Sequence, residues 1–212
     1  MDSPIAIRNV ARRYGFGKHL LFFPSRKNQR QIVCHSVLEA DYCVHLEYDP
    51  AVIQYASQPG EVRFEVDNCV RRYRPDFKVE TDDCCYYTEV KVNFSDLSSR
   101  SATKLRNAQE IFQKHGSELV LADLANIRPT ERLRNLKFLY FHSFNVGPSE
   151  FGGCLRLLPM LQFPLTLREL LIHPSQVRER AIYKALFERL LSFELDQRLS
   201  LEMPIWGARD EH

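Results

Sequence analysis

The sequence predicts an α/β fold with helices flanking a mixed sheet, on three observations. A capped helix comes early. Several short strands with alternating apolar residues follow it. Two further segments of helical spacing then bracket one continuous apolar run, which gives the order helix, strands, helix, strand, helix.

Residues 1–33 are basic and punctuated by Gly15, Gly17 and Pro24, which predicts loops and short elements rather than a long helix. Gly15-Phe16-Gly17-Lys18 lacks the spacing of a phosphate-binding loop, and no such loop follows, so ATP hydrolysis is not expected. Ser36-Val37-Leu38-Glu39 is a capping box: Ser36 is the N-cap, and Glu39 at the third helical position is expected to reach back to the Ser36 amide. The helix should run to about residue 47, because Pro50 disfavours helix in the residue before it. Val52-Ile53-Gln54-Tyr55 reads as a strand, Ser57-Gln58-Pro59-Gly60 as a turn, and Val62, Phe64 and Val66 as the inward side of a half-buried strand. After an Asp67-Asn68 turn comes a hairpin over residues 72–92, with Glu80-Thr81-Asp82-Asp83 at its tip.

Ser98-Ser99-Arg100-Ser101 opens a helix carrying Leu105, Ala108, Ile111 and Phe112, with Gly116 as its stop. Leu119-Val120-Leu121-Ala122 is a buried strand, and Pro129 suits the first turn of a helix bearing Leu133, Leu136, Leu139 and Tyr140. Glycines and prolines crowd residues 147–164, which reads as a linker and divides the chain into domains 1–163 and 164–212. Thr166-Leu167-Arg168-Glu169 is a second capping box. A longer helix over 176–194 and a terminal strand over 199–205 complete a small winged-helix-like module, of a kind that binds DNA or protein. Trp206 reads as a core residue.

No apolar run approaches the roughly 20 residues that span a bilayer, and Met1-Asp2-Ser3-Pro4 has no apolar core of a secretory signal. The six cysteines show no C-x-x-C spacing, which points to reduced, mostly buried thiols and a cytoplasmic protein without membrane contact. The net charge of +2 hides an asymmetry. Arg8, Arg12, Arg13, Lys18, Arg26, Lys27 and Arg30 face only Asp2 in the first 35 residues, interleaved with Tyr14, Phe16, Phe22 and Phe23. Such an arm suits contact with a polyanion; a solvated surface arm is the plainer alternative.

The chemistry-bearing residues lie in the hairpin. Side chains alternate along a strand, so Glu89 and Lys91 project from one face while Val90 points into the core. Asp76, on the partner strand or just before it, reaches the same face. Two carboxylates and an ammonium then converge. Mg²⁺ takes oxygen ligands and is usually held by one or two carboxylates, with phosphate and water completing its shell. It sharpens a water nucleophile, and a nearby lysine stabilises the charged transition state. Pro-Asp, a spacer, then Glu-x-Lys is the pattern of metal-dependent DNA nucleases. A Glu and a Lys that merely solvate a sheet face are the structural alternative, and Glu39 has a complete explanation as a capping residue.

A longer run of motifs adds to this. Phe23-Pro24-Ser25-Arg26-Lys27-Asn28, Ser36-x-Leu38-Glu39-x-Asp41-Tyr42, Leu46-Glu47-Tyr48-Asp49-Pro50-x-Val52, Gln58-Pro59, Tyr73-x-Pro75-Asp76-Phe77 and Glu89-Val90-Lys91, in this order, resemble the TnsA family of endonuclease subunits of heteromeric cut-and-paste transposons. The resemblance covers roughly the first 145 residues; the tail fits the family's small C-terminal domain only by pattern. It implies a restriction-endonuclease-like catalytic core and Mg²⁺, with Mn²⁺ as a substitute, hydrolysing the 5′ strands at transposon ends. It also implies an integrase-like transposase partner that cuts and joins the 3′ ends, and an AAA+ ATPase regulator contacting the C-terminal region. Carried over by motif, Asp76 and Glu89 bind metal, Lys91 is the catalytic lysine, and Glu39 is the helix carboxylate completing the site. Some relatives have glutamine where this chain has Glu89. The basic arm would lie on transposon-end DNA. A free-standing restriction or repair endonuclease, and a non-catalytic DNA-binding assembly module, are the competing readings.

Overall fold

A computed structural model of the chain describes residues 7–8, 20–66, 69–175 and 177–207. Most of the basic arm, with Arg12, Arg13, Tyr14, Phe16 and Lys18, and the Asp67-Asn68 turn lie outside the described residues. The chain divides into two compact units, one ending at Ile127 and one starting at Arg128. The expected boundary at 163/164 therefore falls inside the second unit.

In the first unit, the short strand β1 (Ile7–Arg8) pairs antiparallel with β5 (Glu61–Val66), which pairs in turn with β6 (Cys69–Tyr73). Strands β2 (Leu21–Ser25) and β3 (Arg30–Cys34) form a separate hairpin. Helix α1 (Val37–Tyr48) starts at Ser36, whose hydroxyl accepts the Glu39 amide. Strands β4 (Val52–Ser57), β7 (Phe77–Thr81), β8 (Cys85–Val90) and β9 (Leu119–Ala122) make a four-stranded mixed sheet in the order β4-β7-β8-β9. β4-β7-β8 run antiparallel, while β9 lies parallel to β8 after the crossover through α2 (Ser99–Lys114). Gly116, at φ +71°, ends α2 as its spacing predicts. The short α3 (Leu124–Ile127) closes the unit.

The alternation of β7 and β8 sends side chains into two cores. Phe77 meets Tyr42 of α1, with ring centres 5.4 Å apart, and Tyr87 meets Phe112 of α2 at 4.6 Å. A mixed sheet flanked by helices is thus the architecture of this unit. The expected hairpin over 72–92 is shorter at its start. Arg72 and Tyr73 belong to β6, because Pro75, which has no N–H for a ladder, interrupts the strand. The chain re-enters pairing at Asp76, whose amide donates to the Thr88 carbonyl at 2.9 Å.

The second unit contains α4 (Thr130–His142), α5 (Pro148–Leu157), a 3-10 turn at Leu158–Met160, β10 (Leu165–Thr166), α6 (Leu167–Leu171), α7 (Glu179–Phe187), β11 (Leu191–Ser192) and β12 (Pro204–Gly207). Pro129 sits at the N-cap of α4 rather than within its first turn. The segment expected as a linker forms α5: Pro148 starts it, and Cys154 and Leu157, one turn apart, are both buried. The helix expected over 176–194 is only α7. Arg189 takes a positive φ of 61° just beyond it and turns the chain into β11. The terminal strand is confined to β12, which lies between β10 and β11 in an antiparallel sheet. The second capping box is complete, with Thr166 and Glu169 each satisfying the other's amide.

Of the described cysteines, Cys34, Cys43 and Cys154 are buried free thiols, Cys85 is half-buried and Cys84 is exposed. No helix among the described residues is long and apolar enough to cross a membrane.

Candidate active site

The end of the β7–β8 hairpin gathers three of the four predicted residues. Lys91 lies one residue past β8, its amide held by the Ala122 carbonyl at 3.1 Å. Its ammonium sits 2.6 Å from Glu89 Oε1, 3.5 Å from Asp76 Oδ2 and 3.1 Å from the Val90 carbonyl oxygen. Val90 itself is buried, as the alternation requires.

Each carboxylate is held from behind. The Val90 amide donates to Asp76 Oδ2 at 2.8 Å, and the Gln58 side-chain amide donates to Oδ1 at 3.2 Å. The Gln58 backbone amide also donates to the Asp76 carbonyl at 2.7 Å. Gln58 adopts a φ of +49°, a left-handed conformation that costs a non-glycine residue about 1 kcal/mol. Its two bonds to Asp76 offset that cost and tie the β4–β5 turn to the site. Glu89 is held by Tyr73, whose hydroxyl donates to Oε2 at 2.6 Å. Tyr73 is buried, with its ring edge-on to Phe112. Spacing did not reveal Tyr73 or Gln58 as supports of the carboxylates, because each lies on another strand or turn. The one local signal was the Gln-Pro-Gly sequence of the β4–β5 turn.

Burial raises the pKa of Glu89, and the nearby charge of Asp76 raises it further, against the hydrogen bonds from Lys91 and Tyr73. Burial pulls the Lys91 ammonium down, but Asp76 and Glu89 outweigh it and hold its pKa above the ordinary lysine value. In the metal-free site the two carboxylates thus hold Lys91 as an ammonium. Tyr73 is pushed strongly upward by burial and by Glu89, which keeps it a proton donor.

Glu39 is placed differently. It accepts the His35 amide at 2.8 Å rather than the Ser36 amide, and the Ser36 hydroxyl at 3.1 Å. Its pKa is raised first by burial; the charge of Asp76 raises it too, while Lys91 lowers it. Glu39 thus stands within electrostatic reach of the cluster but makes no ion pair with Lys91. No three His, Cys, Asp or Glu side chains among the described residues converge as a ready-made metal cage.

The donor chemistry nevertheless fits a hard divalent cation. Two carboxylate oxygens and one carbonyl oxygen already surround a single positive charge, the Lys91 ammonium. A pair of mutually repelling carboxylates gains from a second positive charge.

The Ser25-Arg26-Lys27-Asn28 turn proves to be structural where it is described. Buried Glu47 accepts the Tyr55 hydroxyl at 2.8 Å, the Ser25 hydroxyl at 2.5 Å and the Arg26 and Lys27 amides at 3.1 and 3.3 Å. The Lys27 ammonium is taken by the carbonyls of Asp49 and Val52. This member of the predicted basic arm is committed to the fold rather than to a ligand.

Comparison with models of known protein families finds no match, and comparison with curated proteins finds none either.

Proposed function

We propose that the chain is a Mg²⁺-dependent DNA endonuclease, the TnsA-like subunit of a heteromeric transposase, cutting the 5′ strands at transposon ends. The observation that carries this reading is the bridging of Asp76 and Glu89 by Lys91 at the end of one hairpin. The mixed sheet with α1 and α2 on its two faces supports a restriction-endonuclease-like core. The order α5, β10, α6, α7, β11, β12, with β12 central, supports a winged-helix-like C-terminal module. The motif run from Phe23 to Lys91 supports the narrower assignment to transposition, with an integrase-like transposase and an AAA+ regulator as partners.

Asp76, Glu89 and the Val90 carbonyl would hold Mg²⁺, or Mn²⁺ in its place, and Glu39 adds a further carboxylate nearby. The ion supplies charge neutralisation at a phosphate oxygen and a water of lowered pKa. Gln58 and the Val90 amide keep Asp76 aimed at the site, and Tyr73 does the same for Glu89. Lys91, as an ammonium, stabilises the negative charge that builds on the phosphate oxygens. The attacking water gives up a proton to solvent, its oxygen forms the new bond to phosphorus, the bond to the leaving sugar oxygen breaks, and that oxygen takes up a proton from solvent.

The test is strand-resolved cleavage of a mini-transposon with purified cognate transposase and Mg²⁺. Asp76→Ala and Lys91→Ala are expected to lower 5′-strand cutting by about 10³-fold or more while 3′ cuts persist. Undiminished cutting by either variant would overturn the site, and cutting by the chain alone would favour a free-standing nuclease.

A further inference from the structure

On the α2 side of Glu89 lies a recess of about 200 Å³ that shares Glu89 and Lys91 with the candidate site. Tyr73, Arg74, Leu97, Ser101, Lys104 and Leu105 complete its wall. Two of these, Arg74 and Lys104, are cations. Arg63 and Arg72 both lie against Glu61, and Lys78 pairs with Glu80. Arg74 and Lys104, by contrast, make no ion pair among the described residues. The Lys104 ammonium instead stands 5.6 Å above the ring of Tyr73, the residue that holds Glu89.

Charge balance gives this arrangement a use. Asp76 and Glu89 sit together against the single ammonium of Lys91, with Glu39 in electrostatic reach of Asp76, so a polyanionic strand approaching them meets repulsion. The recess supplies two compensating cations beside the carboxylates. It also offers the Ser101 hydroxyl in the first turn of α2, where backbone amides favour an anion. A volume equal to about seven waters admits a phosphate with its ester oxygens but not a base pair.

We propose that this recess is a backbone-phosphate subsite in which Arg74 and Lys104 hold the DNA phosphate next to the one being cut. The proposal rests on the nuclease reading and deepens it. Arg74 is two residues from Asp76, and Lys104 lines the same recess as Glu89, so the subsite sets the register of the strand relative to the carboxylates. The contacts are to phosphate and carry no sequence information.

The test is equilibrium binding of the full chain to a fluorescent DNA duplex, with Ca²⁺, another oxygen-seeking cation, over a series of salt concentrations. Lys104→Ala and Arg74→Ala are each expected to weaken binding about tenfold. Each should also reduce the slope of log K against log salt by about 0.9, the signature of one lost phosphate contact. Lys104→Arg should restore the slope, and Lys114→Ala, at the far end of the same helix, should leave it unchanged. Lys104 is exposed, so its truncation leaves the fold intact even if Arg74→Ala does not. If wild type binds and Lys104→Ala keeps its slope, the subsite is wrong and the nuclease reading stands. If wild type does not bind the duplex at all, the subsite falls, while strand-resolved cleavage with the transposase still decides the nuclease reading.

Discussion

Two carboxylates in the first unit, Glu47 and Glu89, begin alike and end differently. Each accepts a tyrosine hydroxyl, Glu47 from Tyr55 at 2.8 Å and Glu89 from Tyr73 at 2.6 Å. The rest of Glu47 is satisfied by donors that cannot leave: the Ser25 hydroxyl and two backbone amides of the β2–β3 turn. The other oxygen of Glu89 takes a lysine ammonium on a flexible stem, and Asp76 repels it. A carboxylate whose acceptors are filled by backbone and buried hydroxyls is part of the scaffold. One balanced by a displaceable cation, beside a second carboxylate, is built to exchange partners. The difference lies in the donors, since both residues are glutamates with the same first partner.

Substitutions sharpen this contrast. The largest stability effect belongs to Glu47→Ala, which strands two hydroxyls and two amides in a buried place. A loss of about 3 kcal/mol is expected from those unmet donors, read by urea denaturation. Glu89→Gln in metal-free buffer should change stability by less than about 1 kcal/mol while lowering Mg²⁺-dependent cleavage, because the amide keeps an oxygen donor but loses the charge. A Glu89→Gln variant as unstable as Glu47→Ala would break the distinction.

The tyrosines provide the intermediate case. Tyr55→Phe should cost about 1 kcal/mol of stability and leave the pH–rate profile in place. Tyr73→Phe should move that profile. Its hydroxyl lowers the Glu89 pKa, so removing it raises that pKa, and the acidic limb of cleavage shifts to higher pH. An unmoved profile in Tyr73→Phe would make Tyr73 a packing residue only.

The smallest effect is on stability against pH. Glu89 and Glu39 both have pKa values raised above the ordinary carboxylate value. Folding then favours their protonated forms. Their contribution is full below the unfolded-state pKa and is lost as pH rises through the folded values. Metal-free protein should therefore gain stability from these two groups as pH falls from neutral towards 4.5, the ordinary glutamate value. Glu89→Gln should flatten that gain in thermal melts, and a steeper slope in the variant would show the sign to be wrong.

Much of the fold was legible because its signals are local. Ser36 and Glu39, three residues apart, mark the start of α1, and Thr166 and Glu169 that of α6. Gly116 stops α2 in a conformation that suits glycine. Glu89 and Lys91 share a face because a strand alternates with period two. Errors arose where local signals conflict. Gly152 and Gly153 read as linker, yet Pro148 and two buried residues one turn apart carry α5 through them. Residues 72–79 read as one strand, yet Pro75 divides them between two sheets.

The starts of α1 and α6, the α/β order and the convergence of Asp76, Glu89 and Lys91 at one hairpin end follow from residues close along the chain, whereas the hairpin tip lies later than expected because Glu80 and Thr81 still pair within β7. Only the tertiary arrangement brings Tyr73 to Glu89, locks Asp76 with Gln58, makes Glu47 scaffold and leaves Arg74 and Lys104 without a carboxylate among the described residues. Those outcomes depend on which strands and helices burial brings side by side. A side chain's spacing along the chain does not state the partner that waits across the fold.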